Sequence, residues 1–333
     1  MTDDRNRVEL SIVIPAFNEE AQLPVTLQTV AYHAGIASSH YEIIVVDDGS
    51  RDGTWDVLQR CATTIKGLRA LRLSRNFGKE TALCAGLEVA AGAAVVVIDA
   101  DLQHPPELIP VMVDMWRKDA RADIVEGRKR WRGEESWSKR LGAKLFYGVM
   151  SRLLGHDFEG ATDFKLLDRK VIDAWKRLPE RTTFFRGMIA WVGFHTVAVE
   201  FDVHTRNEGK SRWNLVSLVK LAVNAIIAYS AIPLRVVGVI GFLFMIGAGA
   251  LGIQALYKKI VGSAMTGFTT VILLLLIIGS IVMISLATIG EYVAAIYNEV
   301  KGRPRYLIRD QIGGEAEVRH GDKSMNPDEG LPV

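Results

Sequence analysis

Two stretches without one charged residue set the first limit on what this chain can become. Residues 236–257, "VVGVIGFLFMIGAGALGIQALY", carry no Asp, Glu, Lys or Arg, and neither do residues 260–290. Crossing a bilayer takes roughly 20 apolar residues, so each stretch is long enough for one transmembrane helix, at about 236–257 and 267–289. The alternative is an apolar hairpin buried inside a soluble protein. The connecting "KKIVGSAMTG" is short, which predicts a two-helix hairpin with both flanks on one side. Lys210, Arg212, Lys220, Arg235, Lys301, Arg303, Arg305 and Arg309 lie on the flanks, against Lys258 and Lys259 in the loop. That bias predicts a cytoplasmic location for both termini. Residues 213–233 are apolar around the single Lys220 and read as an interfacial amphipathic helix. Residues 291–310 then form a juxtamembrane segment. The polar, Gly- and Pro-containing tail 311–333 reads as disordered. "MTDDRNRVEL" has no apolar core of a signal peptide.

The first 212 residues follow a different rule. "VELSIVIP", "YEIIVVDD", "LRALRLS" and "AAVVVIDA" are β-branched runs that end in polar or turn residues. "EEAQLPVTLQTVAYHAG", "GTWDVLQRCATTI" and "GKETALCAGLEVAAG" separate them with helical character. Alternation of this kind predicts an α/β domain with parallel pairing and helices on both sheet faces. Ligands of such sheets bind at the carboxyl ends of the strands, and polar residues collect there: Asn18 and Glu19, Asp47 and Asp48, Ser74 to Asn76, Asp99 and Asp101. Further helices are expected over 135–155 and in "LLDRKVIDAWKRL". The net charge of +2 gives no basic field for nucleic acid. Cys61 and Cys84 form no CxxC pair, and they read as reduced thiols rather than a metal or disulfide framework.

Asp99 and Asp101 stand where a buried strand turns into a loop, and two carboxylates there repel each other unless a cation intervenes. A divalent ion such as Mg²⁺ or Mn²⁺ meets that need and bridges to diphosphate oxygens. Asp48 ends another strand, where a carboxylate can take hydrogen bonds from a base or ribose. Glu19 ends the first strand and reads in the same way. Gly247, Gly249 and Gly252 match G-x-G-x-x-G, but they fall inside the first apolar stretch with no strand before them, which excludes a dinucleotide site. Small residues there let helices approach closely.

"SIVIPAFNEE", "VVDDGSRDGT", "LSRNFGKETALCAG", "DADLQHPPELIP" and "ATDFKLLDRKVIDA", in this order, resemble the family 2 glycosyltransferases. The similarity is to the polyprenyl-phosphate branch, which holds dolichol-phosphate mannose synthase and the bacterial undecaprenyl-phosphate glucosyltransferases. It covers about residues 8–310, including "GEYVAAIYNEVKGRPRYLI". The resemblance implies a nucleotide-sugar-binding domain of GT-A type over residues 1–212. It also implies inverting transfer of one sugar from a nucleotide donor to a lipid phosphate at the cytosolic face of a bacterial inner membrane. Pro15, Phe17, Glu19 and Asp48 match nucleotide-binding positions, and Asp99, Asp101 and Gln103 match metal and diphosphate positions. Arg206 matches a basic position that closes over the diphosphate, and Arg212 stands where many relatives carry lysine. Arg128, Ser138 and Arg140 fall where relatives grip the acceptor phosphate, while Lys129 and Arg130 read equally as solvated charges on a helix beside the membrane. Asp163 matches an acidic position near the reacting centre, as base or as positioning group. His104 departs from the aspartate that relatives often carry. The implied cofactor is Mg²⁺ or Mn²⁺, and the implied partners are a nucleotide sugar, polyprenyl phosphate and the membrane. A homo-oligomer through the transmembrane and juxtamembrane helices is a further expectation.

"LPERTTFFRGMIAWVGF" looks more like the glucosyl transferases than the mannose synthases, which favours UDP-glucose over GDP-mannose or UDP-N-acetylglucosamine. A processive polysaccharide synthase of the same fold would carry Gln-x-x-Arg-Trp. Here Gly209 stands at the Gln position before Arg212 and Trp213. An inactive, membrane-anchored nucleotide-sugar-binding protein is the remaining alternative, and the intact Asp99 and Asp101 pair argues against it.

Overall fold

The computed structural model describes residues 8–130, 161–178, 185–202, 232–261 and 267–313. The helix expected over 135–155, the interfacial helix as far as residue 231 and the tail from 314 lie outside the described residues.

The β-branched runs form the centre of one eight-stranded sheet, ordered β7-β5-β6-β4-β1-β2-β3-β8. Its strands are β1 (Leu10–Ala16), β2 (Tyr41–Asp47), β3 (Leu68–Leu73), β4 (Ala94–Val97), β5 (Ile124–Lys129), β6 (Ala161–Asp168), β7 (Thr196–Phe201) and β8 (Ile308–Ile312). β3, β2, β1 and β4 run parallel. β6 lies antiparallel between β4 and β5, and β5 pairs parallel with β7. Ile43, Ile44, Val45 and Val46 are all fully buried, as expected of a strand covered on both faces. Each such side chain contributes roughly 1.5–3 kcal/mol relative to exposure.

Helices α1 (Leu23–Ala37), α2 (Thr54–Ala62) and α4 (Leu108–Lys118) pack on one face through Leu27, Val30, Leu58, Ile109 and Met112. Helices α3 (Lys79–Val89), α5 (Arg169–Lys176) and α6 (Phe185–Val192) pack on the other through Leu83, Leu87, Ile172, Trp175 and Met188. Cys84 is buried in α3 and Cys61 half-buried in α2, and both are free thiols. The result is an α/β/α sandwich of GT-A type whose polar strand ends meet at one edge.

Two local expectations change. "LLD", read as the start of a helix, is the end of β6, and Asp168 caps α5 by accepting from the Lys170 amide at 2.9 Å. Lys129 belongs to β5 and Arg130 follows it, so neither stands on a helix.

α7 (Ile232–Ile260) and α8 (Phe268–Val300) are long, apolar and in contact with each other. Leu234–Gln254 has a mean hydropathy of 2.4 and Ile277–Tyr297 of 1.8, and neither span is covered by protein. Both are long and apolar enough to cross a membrane. α8 runs on to Val300, eleven residues past the predicted end of the span. The chain then returns to the sandwich: Tyr306 Oη donates to Glu88 at 2.5 Å, Arg305 donates to the Leu178 carbonyl, and β8 pairs antiparallel with β3. The sheet therefore includes residues 308–312, part of which was expected to be tail. "IRDQI" has no strand-like apolar alternation, and backbone pairing to the open edge of β3 is what holds it.

Candidate active site

The strand-end edge is assembled from three acidic groups with different surroundings. The first is Asp47 and Asp48 at the end of β2, both buried. Asp47 Oδ1 accepts from the Ser50 amide at 2.8 Å, and Arg72 lies 3.4 Å from Oδ2. Asp48 accepts from the amides of Phe77 at 2.7 Å and Gly78 at 2.8 Å. Burial raises its carboxyl above the ordinary range, against the pull of those two donors. Gly49, at φ +68°, lets the Arg75 backbone approach so closely that a Cβ would lie 2.5 Å from its carbonyl carbon. Asp48 thus folds the 74–78 loop onto the strand ends. The segment after β1 is tied to the same region. Asn18, at φ 55°, donates its amide to Ser50 Oγ and accepts from the Arg51 amide, both at 2.9 Å. The Glu19 amide donates to Thr54 Oγ1. Pro15 is buried in β1, while Phe17 and Glu19 are half-buried beside it.

The second group is Asp99 and Asp101, both half-buried at the end of β4. Thr26 Oγ1 donates to the Ala100 carbonyl at 2.6 Å and fixes the turn between them. Leu102 takes φ 55°, which folds Gln103 back so that its amide donates to Asp101 Oδ1 at 3.1 Å. His104 is buried, stacked on Phe164 at 5.5 Å and edge-on to Phe201, with Nδ1 3.7 Å from Asp99. Asp99 Oδ1 is buried and makes no well-formed hydrogen bond, and Lys79 Nζ stands 2.6 Å away as an ion pair. A divalent cation fits here: Asp99 and Asp101 could hold it, and Asp99 Oδ1 has coordinating capacity unfilled. Among the described residues no three His, Cys, Asp or Glu side chains converge. Mg²⁺ sites commonly take only one or two carboxylates and complete their shell with substrate phosphates and water.

The third group centres on Asp163, on β6 facing α3 and α6. Lys79 Nζ donates to its Oδ2 at 2.7 Å and Arg186 Nε to its Oδ1 at 2.6 Å. Burial alone would raise this carboxyl, but Arg186 and Lys79 outweigh it and hold the group far below the ordinary carboxylate range. Burial likewise opposes the charge on Lys79, and Asp99 and Asp163 overcome it and raise its affinity for a proton. Neighbouring Glu80 has no such cation in contact among the described residues. Burial, then the Asp163 charge, pushes it up to about 7, and it accepts from the Phe185 amide at 2.6 Å.

Arg128, predicted to grip the acceptor, lies on β5 at the same edge. Its Nε donates at 3.0 Å to Glu126, a fully buried carboxylate that also pairs with buried Lys165. Burial, then Arg186, pushes the Lys165 ammonium down to about 7. Arg130 pairs with Glu200 at 3.2 Å in solvent. Ser138, Arg140, Arg206 and Arg212 lie outside the described residues. Lys79, Arg186 and Glu126 escaped the sequence reading. Lys79 and Arg186 sat inside quoted motifs, in "FGKE" and "FFRG", but only the fold brings them to Asp163.

The description "Glycosyl transferase family 2" belongs to the family model that matches residues 11–175, from β1 into α5. The chain is 42% identical over 310 residues to an uncharacterized glycosyltransferase of Synechocystis, covering 92% of this chain and 97% of that protein. It is 36% identical over 309 residues to the SfII prophage-derived bactoprenol glucosyl transferase of Shigella flexneri, covering 92% and 99%. Among solved structures, the glucosyl-3-phosphoglycerate synthase of Mycobacterium tuberculosis, in complex with Mn²⁺, UDP and glucosyl-3-phosphoglycerate, is 20% identical. It covers 66% of this chain and 78% of that one, with a TM-score of 0.49.

Proposed function

Because this chain belongs to glycosyltransferase family 2, in its polyprenyl-phosphate branch, we propose that it transfers one glucose from UDP-glucose to undecaprenyl phosphate at the cytosolic face of the membrane. The observation that carries this reading is the near-full-length match to a bactoprenol glucosyl transferase, which runs through both long apolar helices. A lipid phosphate acceptor calls for a site beside a membrane anchor, and this chain has both elements.

In the reaction an oxygen of the lipid phosphate attacks the anomeric carbon. A new carbon–oxygen bond forms as the bond to the nucleotide diphosphate breaks on the opposite side, with inversion. A phosphate monoester has a second pKa of about 6, so the nucleophile is already an oxyanion at neutral pH and needs little help from a general base. Asp163, charged and clamped by two cations, suits a positioning role better than proton transfer. A divalent ion, when bound, would neutralise charge on the departing diphosphate. The protein side of that site is Asp99 and Asp101, with Gln103 in the turn beside them. Phe17, Glu19 and the loop mounted on Asp48 wall the nucleotide side. Arg128 takes the acceptor phosphate, aimed by Glu126, since a guanidinium fork suits phosphate.

Labelled UDP-glucose, GDP-mannose and UDP-N-acetylglucosamine, each given to the full-length protein in detergent with undecaprenyl phosphate, test the donor. Labelled lipid is expected from UDP-glucose, and EDTA should abolish it reversibly. Labelled lipid from GDP-mannose alone would replace the donor, and activity unaffected by chelator would remove the metal. Arg128→Ala should raise the KM for the lipid phosphate while UDP affinity stays unchanged. An equal loss of UDP affinity would move Arg128 to the donor side.

A further inference from the structure

Lys79 makes two contacts that differ in kind. Its bond to Asp163 Oδ2, at 2.7 Å, has hydrogen-bond geometry. Its approach to Asp99 Oδ1, at 2.6 Å, is an ion pair of less regular geometry. The two carboxylates also depend on it unequally. Asp163 has a second cation in Arg186, 2.6 Å away. Among the described residues, Asp99 pairs with no second lysine or arginine; the His104 imidazole lies 3.7 Å away. The lysine backbone is fixed, because Gly78 just before it is held by Asp48. Its side chain is 41% exposed, while that of Asp163 is 8% exposed. Lys79 therefore reaches from a rigid mount to the open edge of the site, with a firm grip on one acid and a loose one on the other.

We propose that Lys79 is a place-holding cation: it occupies Asp99 while no divalent ion is bound and yields that carboxylate to the ion, keeping its hydrogen bond to Asp163. The inference rests on the reading of Asp99 and Asp101 as metal carboxylates. An ammonium within contact distance of a metal ligand opposes the entry of a second cation by direct repulsion. Once displaced, the ammonium stays on Asp163, where a charge aimed at the reacting phosphates is of use. Lys79 is thus a positioning residue with a predicted signature of opposite signs: its removal should strengthen metal binding and weaken turnover. A lysine that merely supported the fold would weaken both.

The experiment titrates Mn²⁺ alone into full-length protein in detergent, reading free Mn²⁺ by electron paramagnetic resonance, and measures turnover beside it. Lys79→Met should bind Mn²⁺ about tenfold more tightly, a change of about 1.4 kcal/mol, with kcat about 100-fold lower, while the thermal midpoint falls because buried Asp163 loses one of its two cations. Lys79→Arg should return Mn²⁺ affinity toward the parent value and recover part of the turnover. If the methionine variant does not fold, Lys79→Gln, which keeps a donor for Asp163, is read in the same way. Mn²⁺ affinity that is unchanged or weaker in these variants, with binding intact in the parent, would overturn the place-holding role alone. Mn²⁺ binding in the parent that survives Asp99→Asn undiminished would overturn the metal reading, and the proposal with it.

Discussion

Asp47–Asp48 and Asp99–Asp101 are two acidic pairs at strand ends of the same sheet, and their surroundings differ. The first pair is buried within the protein: the amides of Ser50, Phe77 and Gly78 hold Asp47 Oδ1 and both oxygens of Asp48, and Arg72 lies 3.4 Å from the remaining Asp47 oxygen, which is closed off from solvent. The second is half-buried, met by the Gln103 amide on one side and a loosely aimed ammonium on the other. A carboxylate whose oxygens are filled by backbone donors stabilises a loop, whereas one with an unfilled oxygen at an open edge can bind something else. Position at the strand-end edge is shared by both pairs, so position alone does not separate them.

The sharpest way to break the comparison is to neutralise one acid of each pair without changing its shape. Asp99→Asn or Asp101→Asn should lower transfer by at least about 10²–10³-fold, the scale of losing a preorganised electrostatic group, with thermal stability unchanged. Activity near the parent level in either variant would show that the second pair is as structural as the first.

Asp48→Ala should do the reverse. It removes two hydrogen bonds to a buried charge, together worth about 3 kcal/mol, which lowers the thermal midpoint by about 6–12 °C. A midpoint within a degree of the parent would mean that the 74–78 loop does not depend on it.

Glu80 is an intermediate case, half-buried near Asp163 and without a cation in contact among the described residues. Its folded pKa of about 7 lies above the ordinary glutamate value, so the folded protein holds this proton more tightly than the unfolded chain. Stability is then lost as pH rises from about 4.5 to 7, and the loss persists above that. Glu80→Gln escapes it. The advantage of the variant over the parent should grow between pH 5 and pH 8 by on the order of 2 kcal/mol, about 4–8 °C in thermal midpoint. Melting curves with a pH-independent difference would refute the shift.

The smallest effect tests whether the contrast is local to the edge. Tyr306→Phe removes one hydrogen bond to Glu88, near the far end of α3. It should cost about 1 kcal/mol, about 2–4 °C, and leave UDP affinity unchanged in calorimetry. Weaker UDP binding would extend the site to the segment that returns from the long apolar helix α8.

The parallel half of the sheet was legible because its strands are buried on both faces and so written as unbroken β-branched runs. The two membrane-length helices were legible because a span without charge has few other uses. The polar residues clustered at strand ends by the same logic of period and punctuation. β5, β6, β7 and β8 were not legible: their residues mix charge with apolar character, and β8 is held by pairing to β3, more than 230 residues earlier in the chain. Asp99, Asp101 and Asp163 were found by motif, but their distinct states were not. Sequence by itself determined which residues end the strands, since local pattern fixes strand and turn. Only the tertiary structure decided which of those acids remain open, because that depends on the donors that Phe77, Gly78, Lys79 and Arg186 bring from elsewhere in the chain. A carboxylate's charge state and availability follow from its neighbours in space.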